Sequence, residues 1–256
     1  MTDAAPFCWY ELMTPDTAAA EAFYGSVIGW SAKDAGMPGL GYTIFSAGEL
    51  PVAGVMALPD DLVAAGVPPH WTGYVRVEDV DAMLPRLTDA GGAIVKPAED
   101  IPGVGRYAVV ADLHGAVFCL FREADVETPA PVAPMTPGHV GWHELSAGDG
   151  PSAFAFYSGL FGWTAAEAMP MGELGVYQLF AAGGAPIGGM LTKMADCPKP
   201  FWLFYFNVPA LDLALERVRA GGGSVILEPM EVPGGSWIGQ CLDPRGAMFA
   251  VVAPAR

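Results

Sequence analysis

The chain contains itself twice, and no other property of the sequence limits its fold as strongly. Trp9-Tyr10-Glu11-Leu12, Phe23-Tyr24 and Gly29-Trp30 return 133 positions on as Trp142-His143-Glu144-Leu145, Phe156-Tyr157 and Gly162-Trp163. Trp71, Tyr74, Asp112, Gly115 and Phe118 return 131 positions on as Trp202, Tyr205, Asp243, Gly246 and Phe249. So small a drift in offset means one fold used twice. The unit is longer than the roughly 20–50 residues of a solenoid repeat and has the size of an independent domain. The expected organisation is a first domain over 1–122, a Pro/Ala-rich acidic linker over 123–138, and a second domain over 139–256.

Composition narrows the partners. Hydrophobic residues make up 52% and charged residues 16%, as in a well-packed globular protein rather than a disordered one. A net charge of −16 repels phosphate backbones, which excludes nucleic acid as the expected partner. The four cysteines show no CxxC spacing, and none recurs between the halves. Reduced thiols and a cytoplasmic location are therefore expected. The N-terminus has no basic stretch followed by an apolar one, so no secretory signal is read there. Leu174 to Thr192 is uncharged, but its five glycines and Pro186 fit two strands around Ala182-Gly183-Gly184 better than a membrane span.

Within one half, Cys8 to Thr14 reads as a strand, and Thr14-Pro15 as a helix start with Thr14 at the N-cap. Ala18 to Ile28 has helical spacing and ends at Gly29. Strands follow over Trp30 to Ala35, Tyr42 to Ser46 and Val52 to Ala57. The next stretch repeats the plan: strand Trp71 to Val77, helix Asp79 to Ala90 with Pro85 near its first turn, then strands Ala93 to Val95, Arg106 to Asp112 and Ala116 to Arg122. The module is βαβββ, present four times, and the fold class is α+β.

Paired βαβββ modules, the Phe-Tyr and Gly-Trp pairs around the first helix, and the turns Asp112-Leu113-His114-Gly115 and Asp243-Pro244-Arg245-Gly246 together resemble the vicinal oxygen chelate superfamily. That group includes glyoxalase I, extradiol dioxygenases and bleomycin-resistance proteins. The Trp-x-Glu-Leu opening resembles a two-domain glyoxalase-like subgroup. The resemblance implies that each pair of modules curls its mixed sheet into a cup. In the superfamily's metal enzymes, four inner side chains, usually His or Glu, hold a divalent metal. Counted from the shared motifs, those positions fall at about Trp9, Gly54, Thr72 and Cys119, and at about Trp142, Gly189, Leu203 and Ala250. None is His or carboxylate. No metal or other cofactor is therefore expected, with a divalent metal ion as the alternative.

Side chains two apart on a strand share a face. If Trp9 points inward, so do Glu11 and Met13. Thr72, Tyr74 and Arg76 do likewise, with Arg106 from a neighbouring strand. The copy places Trp142, Glu144 and Ser146 inward, with Leu203, Tyr205 and Asn207. A buried carboxylate costs several kcal/mol unless it is paired or neutralised. Glu11 and Glu144 are accordingly the candidate catalytic groups. Trp9, Tyr74, Arg76, Arg106, Trp142, Tyr205 and Asn207 are the candidate ligand-binding residues. A structural role for both carboxylates, tied to Arg76, Tyr74 or backbone N–H groups, is the alternative of equal weight. Arg76 facing Glu11 predicts a fixed ion pair there, whereas Asn207 facing Glu144 makes Glu144 the expected proton carrier.

His143 is expected to face away from the cup and His114 to be exposed in its turn. His139 is read as structural or superficial, and His70 as a candidate beside Thr72. Trp30 and Trp163 are expected in the core. The function that follows is recognition of a small, partly aromatic or polar organic molecule, by sequestration or as a metal-independent enzyme. Its rivals are a metal-dependent lyase or dioxygenase, and an interaction module with filled cups. Neither nucleic acid nor membrane is an expected partner; homodimerisation and catalysis are left open.

Overall fold

The structure, a computed structural model, describes residues 4–37, 39–124 and 132–256. The centre of the expected linker, 125–131, lies outside the described residues. In chain order the first half forms β1 (Phe7–Thr14), α1 (Thr17–Val27), β2 (Ser31–Asp34), β3 (Tyr42–Ala47), β4 (Leu50–Ala57) and the short α2 (Asp60–Ala64). It continues with β5 (His70–Arg76), α3 (Val80–Asp89), β6 (Ala93–Ile101), β7 (Gly105–Ala111) and β8 (Val117–Glu123). The second half forms β9 (Val140–Ala147), α4 (Gly150–Phe161), β10 (Thr164–Pro170), β11 (Val176–Ala181) and β12 (Pro186–Thr192). Then come β13 (Phe201–Asn207), α5 (Leu211–Ala220), β14 (Ser224–Glu231), β15 (Trp237–Leu242) and β16 (Met248–Ala253).

The strands form two eight-stranded mixed sheets. Their orders are β2-β3-β4-β1-β5-β8-β7-β6 and β10-β11-β12-β9-β13-β16-β15-β14, the same topology used twice. The expected α+β class and βαβββ modules are what the chain forms. Two local expectations need correction. Thr14 is not the first N-cap, because the chain stays extended there and pairs with Ala57 on β4. The helix starts three residues later, and Asp16 caps it by accepting the Ala19 N–H at 3.0 Å. Pro85 sits inside α3, past the first turn, on an exposed side of the helix.

Packing groups the chain into two compact units, and each takes one module from each half. One unit holds the chain through Cys8, the stretch from Thr72 to the end of β8, and Trp142–Trp202. The other holds Trp9–Trp71, the residues ending at Gly141, and Leu203–Arg256. The repeated motifs meet inside these units as hydrogen-bonded core clusters. In the second unit Trp71 Nε1 donates to Tyr24 Oη at 2.9 Å, and Tyr24 donates to Asp243 Oδ2 at 3.2 Å. Asp243 Oδ1 accepts the backbone N–H groups of Arg245 and Ala247 at 2.8 and 2.9 Å, which shapes the turn before β16. In the first unit Trp202 donates to Tyr157 at 3.0 Å and Tyr157 to Asp112 at 3.3 Å, while Asp112 holds the N–H groups of His114 and Ala116. A tyrosine from one half thus bonds an aspartate from the other. Burial, then the neighbouring aspartate, holds both phenols well above their ordinary range, so they stay protonated donors.

Trp30 and Trp163 lie in the core as expected. Trp30 Nε1 donates to Gly138 O at 2.7 Å and Trp163 Nε1 to Ala5 O at 2.6 Å. A buried indole N–H needs such an acceptor. None of the four cysteines, all among the described residues, is in a disulfide. Among the described residues no helix is long and apolar enough to cross a membrane.

Candidate functional site

The face of β1 that carries Trp9 and Glu11 is built mainly by two neighbouring strands. Glu11 sits beside Gly54 in the parallel β1–β4 pairing, and Tyr42 sits opposite Met56 in the antiparallel β3–β4 pairing. Alternation puts Trp9, Glu11, Gly54, Met56 and Tyr42 on one side. Tyr42 leans over Gly54 so closely that a β-carbon built there would lie 2.7 Å from Cε1 of the ring, and nearer still to its Oη. Trp9 Nε1 donates to Tyr42 Oη at 2.9 Å. Glu11 is 6% exposed.

The copy is built the same way. Glu144 sits beside Gly189 on the β9–β12 pairing, and Tyr177 covers Gly189, whose β-carbon would fall 2.6 Å from Tyr177 Oη. Trp142 Nε1 donates to Tyr177 Oη at 2.8 Å, and Tyr177 donates to Glu144 Oε2 at 3.0 Å. Indole, phenol and carboxylate form one hydrogen-bonded chain. Tyr42 and Tyr177 were missed in the sequence. The signal was present, because Tyr42 and Gly54 both recur 135 positions on, an offset two larger than that of the opening motif.

The second-module faces are less uniform. Tyr74 pairs with Cys119 on β5–β8, and Tyr205 with Ala250 on β13–β16. Gln240 Nε2 donates to Tyr205 Oη at 2.9 Å, another contact that sequence reading missed. Arg76 shares the Tyr74 face, but its guanidinium is held by Glu123 of its own module at 2.9 Å. The cation expected to fix Glu11 therefore has a carboxylate partner at the end of β8. Arg106 does not join Tyr74. In the β7–β8 register Tyr107 pairs with Phe121 on the Tyr74 side, so Arg106 points to the other face and binds Asp81 of α3 and Asp100 of β6 at 2.7 and 3.0 Å. Asn207 is buried, donates to Thr136 O at 3.2 Å and lies against Gly141, so it anchors the chain entering β9. Cys8 gives its thiol hydrogen to Tyr74 O at 3.5 Å, and burial pushes that thiol up to about 12, which leaves it unreactive.

His143 lies on the face opposite Trp142 and Glu144. It is stacked on Phe7 at 4.4 Å, with Nδ1 2.7 Å from Ile187 O. Burial lowers it to about 4, so it is neutral at pH 7. His114 is not the exposed turn residue expected. Its ring covers Gly148, and Nε2 lies 3.3 Å from Ser152 Oγ. His70 Nδ1 lies 2.8 Å from Pro68 O, and burial lowers His139.

These faces do not offer a divalent-metal donor set. Such sites need several converging N, O or S donors. Each first-module face holds one carboxylate, and the position beside it is a glycine covered by a phenol. The indole N–H of the tryptophan can only donate. Among the described residues, no three His, Cys, Asp or Glu side chains gather closely enough to hold a metal ion.

Comparison with known proteins follows the internal repeat. The family model described as Glyoxalase/Bleomycin resistance protein/Dioxygenase superfamily matches residues 7–120 and again 136–251. The chain is 33% identical over 249 residues to CFP32 of Mycobacterium tuberculosis, whose name places it among the glyoxylases, covering 96% of this chain and 94% of that one. It is 34% identical over 267 residues to the anthracycline biosynthesis protein DauV of a Streptomyces species, covering 98% and 95%. Among solved structures, an Mn(II)-bound glyoxalase from Novosphingobium aromaticivorans superposes with a TM-score of 0.66 at 14% identity, covering 98% of this chain and 82% of the other. A 2,2',3-trihydroxybiphenyl 1,2-dioxygenase from Sphingomonas wittichii gives 0.67 at 10% identity, covering 98% and 90%. At those identities the likeness is one of fold.

Proposed function

The chain belongs to the glyoxalase/bleomycin resistance protein/dioxygenase superfamily, and from that premise we propose that it recognises a small organic molecule with aromatic and hydroxyl groups, without a divalent metal. The observation that carries this proposal is the Trp142–Tyr177–Glu144 hydrogen-bonded chain, with Trp9 and Tyr42 as its counterpart. The indole and phenol rings offer apolar aromatic surface, and the carboxylate accepts hydrogen bonds from ligand hydroxyls. Glu144 and Glu11 are the groups able to take a proton from a bound hydroxyl, and Tyr177 orients Glu144. The relatives' names, one a glyoxylase and one an anthracycline biosynthesis protein, fit a small oxygen-rich substrate.

A divalent-metal lyase or dioxygenase is the second reading, favoured by the Mn(II)-bound glyoxalase and the dioxygenases that share the fold. Two measurements separate the two. Elemental analysis after dialysis against a weak chelator is expected to find substoichiometric Mn, Fe, Ni and Zn; retained stoichiometric metal overturns the metal-free reading. Titration with an anthracycline, a planar hydroxylated ring system, is expected to quench tryptophan fluorescence saturably. Quenching should weaken about tenfold in Glu144→Gln if one charge-assisted hydrogen bond is lost.

A further inference from the structure

Gly54 and Gly189 stand where a longer side chain would point onto the same face as Glu11 and Glu144. Both are covered by a tyrosine twelve residues earlier in the sequence, and both close approaches involve the phenol oxygen. Neither glycine is required by the backbone, since neither has a positive φ. What each lacks is room: a β-carbon at Gly189 would sit 2.6 Å from Tyr177 Oη and nearer to two ring carbons, and at Gly54 it would be 2.7 Å from Tyr42 Cε1 and nearer to Oη. Real β-carbons essentially never approach that closely. The phenols are held in place as well as packed, by the N–H groups of Trp142 and Trp9.

We propose that Tyr42 with Gly54, and Tyr177 with Gly189, are reciprocal locks in which the phenol occupies the space of a side-chain donor beside the glutamate and so sets the site against metal binding. This deepens the metal-free reading above and rests on it for its functional meaning. In the second half the lock is chemical as well as steric. Tyr177 Oη accepts from Trp142 and donates a hydrogen bond to Glu144, so one carboxylate oxygen is already engaged. A metal approaching that oxygen would have to displace the phenol from it. The lock is a specificity-determining feature: it keeps the carboxylate for hydrogen bonds to a ligand.

A double-mutant cycle read without ligand or metal tests the steric half. Gly189→Ala is expected to lower the melting temperature by roughly 5 °C, the size of an overpacking penalty, and to cost much less in a Tyr177→Ala background. Equal penalties in the two backgrounds overturn the proposal. If Gly189→Ala alone does not fold, the double variant is expected to; a double variant that also fails to fold overturns it equally. Mn(II) titration by calorimetry tests the chemical half. Tyr177→Ala/Gly189→Glu, which frees the space and places a second carboxylate beside Glu144, is expected to bind Mn(II) at least about tenfold more tightly than the unaltered protein. Unchanged Mn(II) affinity overturns the exclusion of metal by the lock. Because the cycle uses no organic ligand, it can fail while the anthracycline titration succeeds, and the reverse.

Discussion

Tyr24 and Tyr157 hold the same place in their modules and make the same bonds, yet their units have diverged at the groups that titrate. Beside the Tyr24 cluster, Tyr10 meets Phe204 edge-on, and Arg245 pairs with Asp16. Beside the Tyr157 cluster, the residue matching Tyr10 is His143, stacked on Phe7, and the residue matching Arg245 is His114, against Ser152. The core clusters stayed alike because each closes several buried polar groups at once, and any single loss strands the rest. The surrounding positions differ, and each makes contacts of its own outside the cluster. One unit therefore carries imidazoles where the other carries a phenol and a guanidinium.

The largest expected effect tests whether the clusters are equivalent. Asp243→Ala and Asp112→Ala each strand two backbone N–H groups and a buried phenol, and should each cost about 3–5 kcal/mol in denaturant melts. A difference of more than about 1 kcal/mol between them would break the equivalence.

The difference in titration comes next. His143 folds with its value lowered from 6.5 to about 4 by burial, so the unfolded chain takes up the proton first. Its contribution is intact above about pH 6.5, is lost as pH falls toward 4, and amounts at most to about 3 kcal/mol. His143→Tyr, which restores the residue of the other half, should flatten stability over that window. An unchanged pH dependence would show that other groups carry it.

A smaller effect concerns the walls. Trp142→Phe and Trp9→Phe keep a ring but remove the N–H bonded to a phenol, and should each cost about 1 kcal/mol. Thermal melts showing a much larger loss would mean the indoles serve as core rather than as lining. The smallest effect belongs to Arg245→Ala. It removes an exposed ion pair and should leave the melting temperature unchanged, because solvent screens such pairs. A clear drop would show that the Asp16 cap depends on Arg245.

The motifs of the candidate site were legible to different degrees. Trp9 could be placed on one face of its strand with Glu11, and Trp142 on one face of its strand with Glu144, because strand alternation is strict. Arg106 could not, since the turn before β7 sets which face it takes, and the sequence shows only that a strand follows. Arg76 was visible as a cation near the site, but its partner Glu123 was counted to the linker rather than to the end of β8. His114 looked like a turn residue until Gly148 was found beneath its ring.

What the sequence by itself determined was the repeat, the four βαβββ modules, and the burial of Trp30 and Trp163. All of these depend on local periodicity or on counting along the chain. Tertiary structure alone decided that Tyr24 belongs with Asp243 and Tyr157 with Asp112, and that Tyr42 and Tyr177 fill the space left by Gly54 and Gly189. Identical modules leave the sequence indifferent to which copy pairs with which. A glycine records only that a side chain is missing, and the group that needs its space is named by packing.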